Sequence, residues 1–422
     1  MKVFFTTSHG FKSLNCAAIF QNHMLTIALI REGKIPADNR VALTPSQCRW
    51  IHQHSGDVKV IVQSSPDRSF SDQEYISAGI EVKEDVSEAD VLFGIKEVPR
   101  SQLIPNKTYF FFSHTKKLQE HNRSLMQEMV RKQITMIDYE CLTHKDGQRI
   151  IGFGFFAGVV GAHNGMMAYG QRTGLFQLGR VIQCRDYRQL IHTYFGLKLP
   201  PIKIAVTGSG RVAHGVLEIM NLMGINEVEP FDYLHKTFEY PVYVHLKGRD
   251  LYERADDGTY NRENFHYHPD QYKCSFGPFT RQTDILMNGV YWDHQVPPLF
   301  SIEDFKNESF RIQSIADITN DEKGSVPVNC GDSSIADPVY GVDKNTLEKT
   351  APYLPDSVDI MAIGNLPNEL PRDASRYFGE QLIKYVLEDL VKGNSEMITH
   401  ATILNKGTLT EPYSYMKEYA AL

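Results

Sequence analysis

The stretch Pro201–Asp232, PIKIAVTGSGRVAHGVLEIMNLMGINEVEPFD, decides how the rest of the chain is read. Ile202–Val206 is an apolar run with the length and β-branched content of a buried parallel strand. Gly208, Ser209 and Gly210 make a tight turn, after which Val212, Ala213, Val216, Leu217, Met220 and Leu222 recur at helical spacing, closed by Gly224. Glycine at 208 lets the backbone turn, and glycine at 210 lets a pyrophosphate approach the N–H groups and positive dipole end of the helix. Ala213, followed by Gly215, supplies the third small position, so the helix is expected to lie close against the strand. A second strand over 227–231 is expected to end in Asp232, which would accept hydrogen bonds from an adenosine ribose. A bare glycine turn is the alternative. The flanking strand, helix, strand and acid favour a nicotinamide dinucleotide site.

A chain of 422 residues is too long for one core and implies two or three domains. A hydrophobic fraction of 42% with 23% charge is that of an ordinary soluble globular protein, and a net charge of −7 is dilute at this length. No basic run argues for nucleic acid, and no apolar run is long enough to span a bilayer. The six cysteines are scattered without a C-x-x-C pair, which reads as reduced thiols in a cytoplasmic protein. His266 and His268 lack acid or Cys partners at ligand spacing, so they read as loop residues and no metal site is expected.

Residues 1–23 show neither a secretory signal nor a periodic element and are expected to be a disordered extension, with Met24 a candidate start before the first strand, 25–30. Thr44-Pro45-Ser46-Gln47 forms a capping box for a helix running to about Gly56, and Ser71 with Glu74 starts another that stops at Gly79. Strands are expected over 57–63, 89–95, 107–113 and 134–138, with an amphipathic segment around Leu118, Leu125 and Met129. This β-α-β alternation implies a parallel sheet covered on both faces. The glycine-rich apolar segment 151–175 reads as a helix joining two domains, packed closely through Gly158, Gly161 and Gly165. Later strands are expected over 284–290 and 315–318. A helix from Pro371 to about Gly393 carries Phe378, Leu382, Val386 and Leu390 at i+4 steps, and its partner is expected to be the first domain. The chain is therefore an α/β protein of two Rossmann-like doubly wound domains with an active-site cleft between them. Residues 24–155 with about 365–422 form the substrate-side domain, and 156–364 form the NAD(P)-binding domain.

In doubly wound sheets ligands bind beyond the carboxyl ends of the strands. Two such ends hold Lys96-Glu97-Val98-Pro99 and Ser113-His114-Thr115-Lys116-Lys117. Lys96 and His114 are either an acid/base pair or solvated strand-end residues. In the first case Arg31, Lys117 and His114 around the lysine would disfavour its ammonium form and lower its pKa toward the working range. Such cations imply an anionic substrate, with Arg31, Arg149 and Lys117 suited to hold carboxylates.

The segments IREGKIPADNRVALTP, GIKEVP, YFFFSHTKKLQEHN, MIDYECL, RIIGFGFFAGVVG, TGSGRVAHG, ILMNGVYW, IADITNDEKGS and GNLPNELPRDAS resemble, in order, segments of the saccharopine dehydrogenases and of their relatives the alanine dehydrogenases. YFFFSHTKK, ILMNGVYW and the closing ATILNKGTLTEPYSYMKEYA are most similar to the lysine-ketoglutarate reductase half of the bifunctional aminoadipate semialdehyde synthases. GIKEVP is more similar to the monofunctional lysine-forming enzymes. The glycine loop GSGRVA is one residue shorter than in the fungal lysine-forming enzymes, closer to the reductase and alanine dehydrogenase pattern. The head and the region 236–280 are the parts least covered.

The resemblance implies that Lys96 and His114 are the acid/base pair and that Arg31 and Lys117 hold substrate carboxylates, with Arg149 in the same cleft. It implies that Glu97 and Glu140 tune the lysine and histidine, that Asp321 lies near the nicotinamide, and that Gly208, Gly210, Arg211, Val212 and Asp232 bind the cofactor. The implied activity is the reversible NAD(P)-linked interconversion of saccharopine with L-lysine and 2-oxoglutarate, by a cytoplasmic enzyme whose partners are these small molecules and for which an oligomer is compatible. Saccharopine carries three carboxylates, in keeping with several cations. An alanine dehydrogenase acting on pyruvate and ammonia needs one carboxylate clamp, so the extra cations count against it. A non-catalytic dinucleotide-binding regulator is disfavoured by the intact Lys96 and His114. Asp232 favours a ribose diol and repels a 2′-phosphate, and Lys236 is the only nearby cation. NAD(H) is therefore the expected preference, with NADP(H) the alternative.

Overall fold

Local signals set the first elements. Thr44 caps the helix Pro45–His54 and Ser71 caps Asp72–Ser77, each through a reciprocal bond with the residue three positions on. The structure, a computed structural model, describes residues 24–422; the expected extension at 1–23 lies outside the described residues.

By compactness the chain divides into two units, one running to Gly152 and resuming over Ser375–Leu422, the other Phe153–Ala374. In the first, strands β1 (Leu25–Leu29), β2 (Val58–Gln63), β3 (Glu81–Lys83), β4 (Val91–Phe93), β5 (Thr108–Phe111) and β6 (Thr135–Asp138) are all parallel. Apart from the edge strand β3, whose residues are exposed or half-buried, their side chains are largely buried on both faces, as near-continuous apolar runs require.

The second unit holds β7 (Lys203–Thr207), β8 (Asn226–Glu227), β9 (Val242–Leu246), the antiparallel pair β10 (Tyr252–Arg254) and β11 (Tyr272–Cys274), β12 (Ile285–Asn288), β13 (Ser314–Asp317), β14 (Val339–Asp343), β15 (Lys349–Thr350) and β16 (Ser357–Met361). Among the described residues its main sheet has eight strands in the order β15-β14-β16-β13-β12-β7-β9-β8, parallel except at β14 and β15. The chain then returns to the first unit, where β17 (Thr402–Asn405) and β18 (Thr408–Leu409) extend the first sheet antiparallel beyond β6. Both sheets are of the parallel-rich α/β class expected.

The segment expected to join two domains is a 20-residue helix, Gly154–Thr173, and it packs inside the second unit. A methyl group on Gly158 would overlap the Val212 carbonyl oxygen, and one on Gly165 would lie 2.7 Å from Ala316 Cβ. Gly215 serves this same contact, where an added Cβ would lie 3.0 Å from Gly158 Cα. The close approach of the Arg211–Leu222 helix at Gly215 is thus to the Gly154–Thr173 helix, whereas the sequence suggested its strand.

The tail helix begins at Pro371 and buries Phe378, Leu382, Val386 and Leu390. Steps of four residues drift about 40° per step around a 3.6-residue helix. A π turn at Ile383–Leu387 relieves the drift. Phe378 meets the rings of Phe112 and Tyr139 in the first unit.

Candidate active site

The candidate residues lie in two groups, one in each unit. In the first unit, β4 and β5 are adjacent and parallel, so Lys96 and His114 emerge at neighbouring carboxyl ends. His114 has φ +52°, a left-handed conformation held by the loop around it. Ser113 donates its N–H to Asp138 Oδ2 at 3.0 Å and its hydroxyl to the same oxygen, and Tyr415 Oη donates to the Lys116 carbonyl at 2.9 Å. The imidazole Nδ1 lies 2.6 Å from Glu97 Oε1, and Lys34 Nζ lies 2.9 Å from Glu97 Oε2. Burial pushes the Glu97 carboxyl up, but the bonds from His114 and Lys34 outweigh it and hold the group at about 2. An ionised carboxylate only accepts, so Nδ1 carries the hydrogen and Nε2 is the working nitrogen.

Lys96 makes no hydrogen bond or ion pair through its amine among the described residues. Its pKa is lowered to about 8, first by burial, then by the Arg40 guanidinium, with Lys34 adding to the effect and Asp38 and Glu97 opposing it. The direction matches the sequence expectation, but the agents differ: burial, Arg40 and Lys34 act where Arg31, Lys117 and His114 were expected. Arg40 and Asp38 form a buried bidentate pair at 2.9 and 2.6 Å. Despite burial, that pairing holds Asp38 well below the ordinary carboxylate range.

Glu32 is the residue the sequence reading missed. It accepts the backbone N–H of Ile95 at 2.6 Å and of Lys96 at 2.9 Å, fixing the chain where the lysine leaves β4. Burial, reinforced by Asp38, pushes its carboxyl up to about 8. Glu32 stands just past the carboxyl end of β1, so the strand-end rule that singled out Lys96 would have found it.

The other expected residues are more dispersed. Arg31 pairs with Glu84 and Arg149 donates to Glu140 at 2.8 Å, both in exposed settings. Lys117 is exposed. Lys96, Glu97 and His114 are brought together, with Lys34, Arg40 and Glu32 beside them.

In the second unit the glycine turn has the conformation its sequence requires. Gly208 has φ +102°, and a Cβ there would lie 2.5 Å from the Gly289 carbonyl oxygen. Gly210 precedes the helix Arg211–Leu222, which no side chain caps, and open space surrounds the place a Cβ would occupy. An uncapped helix N-terminus beside open space fits a pyrophosphate. Val212 packs against Gly158 and Gly289. Beneath the turn a buried network ties the strand ends together: Thr207 donates to Asn288 at 2.9 Å, and Asn288 and Asn329 donate to Asp317 at 2.8 and 2.7 Å. Asp321 follows in the loop after β13, where its carbonyl accepts the Gly324 N–H at 2.9 Å.

The placement expected for Asp232 is corrected. The strand preceding it is only the two-residue edge strand β8, and Pro230, with its fixed φ, starts a helix, Pro230–His235. Asp232 lies in the first turn of that helix, paired with Lys236 at 2.8 Å. The strand beside β7 is β9.

Among the described residues no three His, Cys, Asp or Glu side chains are placed to hold a metal, and no helix is long and apolar enough to cross a membrane.

Residues 28–160 match the family described as "Alanine dehydrogenase/PNT, N-terminal domain". The rat protein named "Alpha-aminoadipic semialdehyde synthase, mitochondrial" is 30% identical over 96% of this chain and 49% of its own length. The chain thus spans about half the length of the curated relatives it matches first. The protein of Yarrowia lipolytica named "Saccharopine dehydrogenase [NAD(+), L-lysine-forming]" is 24% identical over 89% of this chain and 95% of its own. A solved L-alanine dehydrogenase superposes with a TM-score of 0.61 at 15% identity, covering 94% of this chain and 99% of that one, which shows a shared fold. By sequence and fold, the chain is a homologue of the saccharopine dehydrogenases and alpha-aminoadipic semialdehyde synthases, built on the alanine dehydrogenase plan.

Proposed function

We propose that the chain catalyses the reversible, nicotinamide-dinucleotide-linked interconversion of saccharopine with L-lysine and 2-oxoglutarate. The observation that carries the reading is Lys96, its ammonium form disfavoured, beside Glu97, which pairs with His114 at the neighbouring strand end. The names of the relatives support the substrate class.

In the cleaving direction saccharopine loses a hydride from the carbon bearing its secondary amine, and water adds to the resulting imine. The nicotinamide, when bound, accepts that hydride. Lys96 in its neutral form takes the amine proton. His114 Nε2 takes a proton from the water that attacks the imine carbon, and Glu97 at Nδ1 holds the ring in the required tautomer and steadies its charged form. The C–N bond then breaks with a proton returned to the departing lysine nitrogen. Arg31, Arg149 and Lys117 hold substrate carboxylates, Arg31 and Arg149 sharing or exchanging their present carboxylate partners Glu84 and Glu140. Glu140 thereby tunes Arg149. Gly208, Gly210, Arg211 and Val212 hold the dinucleotide, with Asp321 near its nicotinamide end.

A spectrophotometric panel tests this: lysine plus 2-oxoglutarate, and pyruvate plus ammonia, each with NADH and NADPH, and saccharopine with each oxidised cofactor. Oxidation of a reduced cofactor that requires both lysine and 2-oxoglutarate is expected. Turnover only with pyruvate and ammonia would overturn the proposal.

A further inference from the structure

The Gly208 turn, Asn288 and Asp317 stand at the carboxyl ends of the parallel strands β7, β12 and β13, so the opposite edge of that sheet is remote from the dinucleotide turn. This opposite edge carries a hollow of about 370 Å³, a size that takes a small molecule. Among its lining residues Ser357 opens β16, Arg311 comes just before β13, and Arg281 comes just before β12. β14 runs antiparallel to β16, with Asp343 opposite Ser357, so Lys344 reaches the same edge from the other direction. Arg172, in the last turn of the Gly154–Thr173 helix, lines it as well.

These cations are not equally committed to the fold. Arg172 donates to the buried Asp359 at 2.9 Å and to the Leu354 and Ser357 carbonyls at 3.0 and 2.7 Å. Arg311 donates through Nε to Asp284 Oδ1 at 2.8 Å, and its two terminal nitrogens make no hydrogen bond among the described residues. Arg281 is exposed, and its guanidinium makes no hydrogen bond or ion pair among the described residues. Lys344 donates to the Phe310 carbonyl at 3.3 Å, which uses one of its three N–H groups. Burial, and after it the Arg172 guanidinium, disfavours the ammonium form of Lys344 against the opposing pull of Asp356. Asp359 and Asp284 are each held by an arginine, and the acid in the lining itself is Glu308, which is exposed.

We infer that this hollow is a second binding site, for a small molecule bearing a phosphate group, held by Arg281, Arg311 and Lys344 at the sheet edge opposite the dinucleotide turn. The unused donors of these three residues come from three separate chain segments. That arrangement suits the tetrahedral spread of phosphate oxygens, whereas a lone carboxylate is met by a single planar guanidinium edge. A dianion seated there offsets the repulsion between Lys344 and Arg172. Glu308 opposes it, so the site is tuned for weak, reversible occupancy.

Isothermal titration of the full chain with inorganic phosphate at constant ionic strength, with succinate as the carboxylate control, tests this. It is run on the wild type, on Arg281→Gln/Lys344→Gln and on Glu308→Gln. The wild type is expected to bind phosphate with a Kd of about 1 mM or tighter and succinate about tenfold more weakly. The double variant is expected to lose about tenfold or more in phosphate affinity, and Glu308→Gln to gain about threefold, a gain that a damaged fold cannot produce. Absence of saturable phosphate binding, succinate bound as tightly, an unchanged double variant or weaker binding by Glu308→Gln would each overturn the inference. Phosphate displaced by excess NADH or NADPH and retained by the double variant would sit at the Gly208 turn, and would overturn it too. None of these readings involves turnover, so the proposed reaction and the second site stand or fall separately.

Discussion

Lys96 is useful because it is expensive to charge where it sits. An exposed lysine stays protonated near neutrality, whereas burial and Arg40 bring this one to about 8. Replacing Lys96 with Met, or His114 with Gln, is expected to lower turnover by about 10²-fold or more with dinucleotide affinity nearly unchanged. Wild-type turnover in both variants would remove the acid/base assignment. The same value fixes a pH dependence. Cleavage needs the neutral amine, so its rate should rise as pH climbs through about 8, and the condensing direction, which uses the protonated form, should fall over that range. A cleavage rate that decreased with pH there would assign the proton to another group. Lys96, Glu97 and His114 were legible in the sequence because strand ends are legible. Glu32 and the Arg40–Asp38 pair were not: a short charged loop reads as solvated until the fold shows that it is enclosed.

At the scale of elements, two helices depend on glycine for their distance. Gly158 and Gly215 face one another across the Gly154–Thr173 and Arg211–Leu222 helices, and an added methyl at 158 meets backbone, which cannot rotate away. Gly158→Ala should therefore lower the melting temperature by roughly 5 °C or more, the size expected of an overpacked core. An unchanged transition would mean that the helices are free to separate. Because the second of these helices carries the phosphate-facing turn, dinucleotide affinity should weaken in the same variant. The capping boxes, the strands β1, β2, β4–β7, β12 and β13, and the close-packing glycines of the Gly154–Thr173 helix were legible because each is a local signal with one physical meaning. Long-range pairing was not legible: nothing local says that β9 inserts between β7 and β8, or that the strand expected over 227–231 stops at Glu227 and gives way at Pro230 to the helix that holds Asp232.

At the scale of the whole molecule, the first unit is closed by chain that returns from the far end of the sequence. β17 pairs with β6, and Phe378 fills the space against Tyr139 and Phe112. Hydrophobic patterning announced that the tail must be buried but not that it would add two antiparallel strands. In the proposed reaction hydride passes from the reduced nicotinamide to the carbon that was C2 of 2-oxoglutarate. Incubating the protein with reduced cofactor dideuterated at C4 of the nicotinamide and either L-lysine with 2-oxoglutarate or pyruvate with ammonia, followed by mass spectrometry of the product, measures this directly. The expected product is saccharopine carrying one deuterium on that carbon. Failure to form labelled saccharopine with either reduced cofactor, alongside labelled alanine from pyruvate and ammonia, would contradict it.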